Sequence, residues 1–233
     1  MNILAIDTST SFASIAIGVG EQIVAESLVN TNRTLSARLV PEIERLLATA
    51  GLTISDIDIF ASAIGPGSFT GVRGGIATIQ GLALASAKPC SGFSSLAMLA
   101  MNFSLSRSLI CPMLDARKGE VYAALYDCSA QLPSPFINDS VLPPAAFIDN
   151  ITAVTKEPVI FVGDGALRYH DQVVEQLGEQ AVFAPFSLHS PHCANGVLLA
   201  LHASRYGALL EPSQLLPVYL RASDAELMKV KVT

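Results

Sequence analysis

One pattern occurs twice in this chain and constrains its fold more than any bulk property does. "NILAIDTSTSFASIAIGV" is an apolar run stopped by Asp7 and a string of hydroxyl residues, after which a second apolar run begins. "LICPMLDARKGEVYAALYD" repeats the plan in mid-chain, with Asp115 ending the first run and "ARKG" turning into the second. Short apolar runs bounded by turn residues read as strands joined by tight turns. Each half therefore opens as a hairpin with an aspartate at a strand end, and "QIVAESLVN" adds a third strand to the first.

Helical spacing takes over after each opening. Leu35, Leu39, Val40, Ile43, Leu46, Leu47 and Ala50 recur on one face behind a Thr34 cap. Pro41 lies inside that helix, where the lost backbone bond predicts a kink. "DIDIFASAIG" reads as a buried strand, "TGVRGGIATIQGLALASA" as a helix, "KPCSGFS" as a returning strand, and Leu96 to Asn102 as a short helix. In the second half, "PVIFVGDGALRYHDQVVEQL" is a strand, glycine turn and helix. "SPHCANGVLLALHASRYG" is a helix capped by Ser190 with Pro191 first. The proline-rich "QLPSPFINDSVLPP" reads as a surface excursion. The expected class is α/β in two related halves, 1–103 and 104–190. A helix near 191–206 is expected to rejoin the first half, and 207–233 to form a C-terminal segment. A length of 233 residues suits two closely coupled halves.

Composition narrows the function. Hydrophobic residues make up 51% and charged residues 15%, against roughly 25% charged in an average soluble protein. Apolar surface left over for a partner is expected. The net charge of −6 and the lack of any basic run argue against a protein that grips nucleic acid by itself. The four cysteines are scattered without a CxxC pair and read as buried free thiols of a reducing compartment. No export signal is read at the start, and "CSGFSSLAMLAMNFSL" is too short and serine-rich to span a bilayer. A soluble cytoplasmic protein is the expectation.

"GPGSFTGVRGG", Gly65 to Gly75, has the ingredients of a phosphate loop but not the spacing. A P-loop needs G-x-x-x-x-G-K-[ST], whereas Val72 and Arg73 follow Gly71. A nucleophile elbow needs G-x-S-x-G, whereas Ser68 directly follows Gly67. In the helix beyond, Gly74, Thr78, Gly81 and Ala85 share one face, opposite Val72, Ile76, Ile79 and Ala83. Each interior glycine costs about 1 kcal/mol relative to alanine. Such a face suits close approach by another backbone, either from within the chain or from a partner's helix.

Asp7, Thr8 and Ser9, then Asp115, Arg117 and Gly119, then Gly163 and Gly165 form a second constellation. Strand-end carboxylates could flank a metal-bound polyphosphate, and a glycine turn opening a helix could accept an adenosine. An aspartate at a turn is also a common local cap. His189 and His192 stand three apart near Cys193 without a third ligand, so no metal site is expected there.

The series "ILAIDTST … GPGSFTGVRGGIATIQGLALA … DARKGEVYAALY … VGDGA … PVYLR" resembles the TsaB (YeaZ) family over nearly the whole chain. That family is a short relative of TsaD, which makes threonylcarbamoyladenosine in tRNA. The resemblance implies two RNase H-like halves of the actin, hexokinase and Hsp70 superfamily. TsaD places two metal-binding histidines four apart after the equivalent helix. Here those places fall on Ser95 and Leu99, so the resemblance implies a partner without catalytic residues or a metal of its own.

It also implies a homodimer when alone, a heterodimer with TsaD, the ATPase TsaE as third member, and tRNA reached through the complex. ATP or ADP would be held only within that complex, with Asp7, Thr8, Ser9, Asp115, Arg117, Gly119, Gly163 and Gly165 as vestigial nucleotide motifs. The docking surface would comprise Leu35, Leu39, Pro41 and Ile43 with Gly65, Pro66, Gly67, Ser68, Phe69, Thr70, Gly71, Arg73, Gly74, Thr78 and Gly81. Many relatives carry a histidine near the start of the first helix, where Leu35 stands. A small-molecule kinase of the same superfamily is the competing expectation, although "DARKG" departs from the phosphate pattern. A glycopeptidase would need a nucleophile–base pair or a metal-bound water, and the sequence offers neither.

Overall fold

A computed structural model of the chain describes residues 1–30 and 35–221, the side chains of 35–37 excepted. The first half contains β1 (Asn2–Asp7), β2 (Phe12–Val19), β3 (Gln22–Asn30), α1 (Leu35–Thr49), β4 (Ile59–Gly65), α2 (Phe69–Ser86), β5 (Cys90–Ser94) and α3 (Ser95–Ala100). The second contains β6 (Leu109–Arg117), β7 (Glu120–Asp127), β8 (Ser134–Leu142), α4 (Pro144–Val154), β9 (Val159–Val162), α5 (Asp164–Arg168), α6 (His170–Leu177) and β10 (Ala181–Phe183). Helix α7 (Cys193–Arg205) follows.

The two sheets have the same plan. Their strand orders are β3-β2-β1-β4-β5 and β10-β9-β6-β7-β8. In each, an antiparallel three-strand meander supplies one side, and two parallel strands extend from its first strand. The repeated aspartate hairpin is thus the start of a repeated sheet, with Asp7 opposite Ser14 and Asp115 opposite Val121.

Strand β1 reads as one continuous apolar run because both of its faces are covered. Leu4 and Ile6 join the core with Leu39, Ile43, Ile76 and Ile79 of α1 and α2. Ile3 and Ala5 face the other way, toward Cys193, Val197, Ala200 and Leu201 of α7. The Cys193 N–H donates to Ser14 Oγ at 2.9 Å, fixing the start of α7 on the first sheet.

Four local expectations change. "QLPSPFINDSVLPP" contains β8, an edge strand of the second sheet, where a proline lacking an N–H is tolerated. Prolines 143 and 144 then open α4, a helix the periodicity did not announce. Helix α7 begins at Cys193 behind His192, leaving Ser190 and Pro191 outside it. The helix after the glycine turn is split in two at Tyr169. Helix α1 runs from Leu35 to Thr49 with Pro41 inside it, and its expected cap Thr34 lies outside the described residues. Among the described residues no helix is long and apolar enough to cross a membrane.

Candidate functional site

The strand ends that carry the aspartates converge on a cleft of ≈ 840 Å³ between the halves. Ser9 to Ser11 from the first turn, Pro66 to Thr70 and Arg73 from the start of α2, and Asp115 to Arg117 from the second turn all line it. Asp164 at the start of α5 and Val218 to Arg221 of the C-terminal segment complete the walls. The fold therefore unites the two constellations that the sequence keeps apart, while Asp7, Thr8, Gly119, Gly163 and Gly165 do not line the cleft.

The glycines at the start of α2 serve close packing. A Cβ on Gly71 would collide with the Thr8 carbonyl oxygen, one on Gly67 with Ser9, and one on Gly75 with Thr8 Oγ1. In return, Thr8 Oγ1 donates to the Gly71 carbonyl at 2.7 Å, and the Ser68 N–H donates to the Ser9 carbonyl at 2.7 Å. Ser68 caps the helix, its Oγ accepting the Gly71 N–H. Gly67 and Gly71 are thus engaged within the chain; Gly71 is buried and is not open docking surface, while Gly67 is half-buried on the cleft.

Asp7 is buried under this junction. Its Oδ1 accepts the Ser9 N–H at 2.7 Å, while Oδ2 has no partner among the described residues. Burial pushes its carboxyl up to about 6, against the bonds from Ser9 and Thr8 that pull the other way. Asp115 is differently placed. It pairs with Arg168 at 2.9 Å and Arg117 at 3.7 Å, and it accepts the Arg117 N–H at 3.0 Å. Its own N–H donates to Asp164, whose carboxyl is also raised, chiefly by desolvation.

Gly163 and Gly165 lie where a Cβ would meet the backbone of Met113 and Leu114, and Gly163 has φ +106. The Gly163 N–H donates to His189 Nδ1 at 3.1 Å, and His189 Nε2 lies 2.9 Å from the Ala184 carbonyl. A neutral imidazole protonated at Nε2 satisfies both contacts. His189 is thereby a brace for the glycine turn.

The C-terminal segment forms a strap that the periodicity gave no means of seeing. Gln80 Nε2 donates to the carbonyls of Pro212 and Leu215, and the Val218 N–H donates to the Ile64 carbonyl at 2.8 Å. Tyr219 stacks on Phe69 with ring centres 5.1 Å apart. The Arg73 guanidinium sits 3.7 Å from the centre of the Phe69 ring, and Arg73 Nε donates to the Tyr219 hydroxyl. Arg221 then crosses to the second half, reaching Glu120 at 2.6 Å and the Ala116 carbonyl at 2.9 Å.

The outer face of α2 is different in kind. Nothing in the described chain lies within 4 Å of a Cβ placed on Gly74 or Gly81. Thr78 Oγ1 turns back to the Gly74 carbonyl at 2.8 Å, leaving the face small. Leu84 beside it is 66% exposed, and Val40 of α1 is exposed as well. Within α1, Leu39 and Ile43 are not surface residues. Both are buried in the core against α2, because the apolar stripe that defines the helix is the one that faces the sheet. Pro41 is exposed, and the side chain of Leu35 lies outside the described residues.

Ser95 and Leu99 are both buried in α3. The Ser95 hydroxyl has no partner among the described residues, and Leu99 Cδ2 packs toward Gly163. A lone hydroxyl beside a hydrocarbon is no donor set for a metal. Among the described residues, no group of three His, Cys, Asp or Glu side chains could hold one. The four cysteines are free and buried.

The TsaD family model, described as tRNA N6-adenosine threonylcarbamoyltransferase, matches residues 23–228. The tRNA threonylcarbamoyladenosine biosynthesis protein TsaB of Bacillus subtilis is 31% identical over 226 residues, covering 97% of this chain and 96% of the relative. The structure of YeaZ from Pseudomonas aeruginosa superposes with a TM-score of 0.80 at 31% identity, covering 94% of this chain and 99% of that one. A ROK hexokinase from Thermus thermophilus, at 12% identity and a TM-score of 0.51 over 87% of this chain and all of that one, shares the fold alone. The chain belongs to the TsaB (YeaZ) family, within the wider group described by the TsaD model.

Proposed function

We propose that this chain acts in the formation of threonylcarbamoyladenosine in tRNA as the partner subunit of a TsaD-type transferase. The observation that carries this reading is the outer face of α2. Gly74 and Gly81 weaken a helix interior, each by about 1 kcal/mol relative to alanine, yet among the described residues nothing beyond the helix's own backbone packs within 4 Å of where a Cβ on either would lie. A helix that keeps such a face beside exposed Leu84 is suited to close contact with a second helix. The same face serves a homodimer when the chain is alone and the transferase when it is present. The ATPase TsaE joins that assembly, ATP or ADP is held only within it, and tRNA comes to this chain as part of it.

Catalysis belongs to the partner in this reading. Ser95 and Leu99 supply no metal ligands, and Asp115 is already neutralised by Arg168 and Arg117. A small-molecule kinase would need that carboxylate available to a metal-bound phosphate. The test is reconstitution. Purified TsaD, TsaE, ATP, a threonylcarbamoyl donor and unmodified tRNA are expected to yield modified tRNA only when this chain is added. Equal yield without it would remove the proposal.

A further inference from the structure

Where RNA would lie on this chain is a separate question, and it rests on the reading just given. Arg73, Arg117 and Arg221 line the cleft, Arg168 is held 2.9 Å from Asp115 on its wall, and Lys118 follows Arg117 on the same turn. Four of the fourteen Lys and Arg residues of a chain with net charge −6 thus gather at one opening, with Lys118 next to one of them in sequence. Among the described residues three carboxylates accompany them: Asp115, Asp164 and Glu120. The four are scattered in sequence from position 73 to 221, so no basic run announces them. Folding alone makes the patch.

The patch faces outward. The side chain of Arg117 is 80% exposed and that of Arg168 is 55% exposed, although both touch Asp115. Beside them lies a flat stack, Phe69 at 37% and Tyr219 at 43% exposure, with the Arg73 guanidinium over the Phe69 ring. Cations that follow a phosphate backbone, next to aromatic and guanidinium planes on which bases stack, are how proteins hold unpaired RNA. Aromatic rings and guanidinium groups also anchor protein contacts, so loss of assembly in the variants below is the outcome that would mark the patch as one. Arg73 also directly precedes Gly74, so the patch lies at the same N-terminal end of α2 where the face proposed for the transferase begins.

We propose that the cleft mouth is an RNA-contact surface. Arg117 and Arg168 meet phosphates of the tRNA substrate, and the Phe69–Arg73–Tyr219 stack is a platform for an unpaired base. RNA held by both subunits would cross the seam between them.

The experiment measures binding of an unmodified tRNA transcript to the complex of this chain with TsaD across a salt series. The chain would be wild type, Arg117→Gln, Arg117→Gln/Arg168→Gln, or Tyr219→Ala. The double variant is expected to bind tRNA about five-fold or more weakly at moderate salt, with the slope of log affinity against log salt reduced by about two. Tyr219→Ala is expected to weaken binding with little change of slope, since stacking releases no counterions. Assembly with TsaD, followed by sedimentation, should be unchanged in all of them.

Unaltered affinity and slope in an intact double-variant complex would overturn the inference. So would loss of protein assembly with tRNA affinity kept, which would mark the patch as a protein contact. If wild-type chain and TsaD form no complex, the function proposed above fails, and the variants are read on the chain alone at low salt. There, equal tRNA binding by wild type and double variant would overturn the RNA surface independently.

Discussion

Thr8 and Gly71 hold each other across the junction of the first turn and α2: the threonine hydroxyl donates to the glycine carbonyl at 2.7 Å, and the glycine has no room for a Cβ against the threonine's own carbonyl. At Gly81, two turns and more along the same helix, a Cβ would meet nothing within 4 Å among the described residues beyond the helix's own backbone. The two glycines therefore predict opposite outcomes on replacement. Gly71→Ala forces backbone against backbone and is expected to cost about 3 kcal/mol or more. Gly81→Ala is expected to gain up to about 1 kcal/mol from helix propensity. Urea titrations of the two variants check both signs.

Asp7 makes stability depend on pH. Its folded carboxyl titrates near 6, above its ordinary 3.8, so the native state keeps a proton that the unfolded chain gives up. The contribution is fully present below pH 3.8 and is lost as pH rises through 6, by up to about 3 kcal/mol for a shift of this size. Asp7→Asn removes that dependence but leaves an amide nitrogen short of a partner. It is expected to stabilise the chain by about 1–2 kcal/mol at pH 7.5 and by nothing, or less, near pH 4. Chemical denaturation of both forms across that range is the measurement; a difference that does not change with pH would remove the assignment.

The strap offers a third test. Tyr219→Ala deletes the stack on Phe69 and the acceptor of Arg73 Nε, on a partly exposed surface. A loss of about 1 kcal/mol is expected. The larger effect is local, because among the described residues the segment after Leu215 is then held chiefly by the Val218 and Arg221 bonds. Limited carboxypeptidase digestion, read by mass spectrometry, should proceed faster in the variant and stop near Gln214, where the Gln80 bonds begin. Equal digestion of variant and wild type would show that Tyr219 does not hold the strap.

The fold was legible because its signals are local. Asp7 and Asp115 end apolar runs of strand length, and each is followed by a partner strand, so the repeated sheet could be read before any contact was known. Helix α4 was not legible, since prolines 143 and 144 look like a loop until they are seen to open a helix. The site was half legible. Gly71 and Gly81 are the same residue on the same helix, and only the third dimension separates a packing glycine from an open one. Leu39 and Ile43 failed as surface candidates for a related reason: periodicity finds the stripe a helix buries, not the one it presents. The strap and the cationic cleft mouth depend on contacts such as Arg221 with Glu120, too distant in sequence for any window to join.

The partner reading is tested most directly by bulk on the open face of α2. Among the described residues nothing beyond the helix's own backbone lies within 4 Å of a Cβ on Gly81, so circular dichroism of Gly81→Leu should show a folded protein. Overpacking at a helix contact costs about 1–3 kcal/mol, or roughly five- to 150-fold in association. Sedimentation of Gly81→Leu with TsaD is expected to show a complex weakened by that factor beside a normal wild-type complex. A folded Gly81→Leu chain that joins TsaD as tightly as wild type would contradict the assignment of this face.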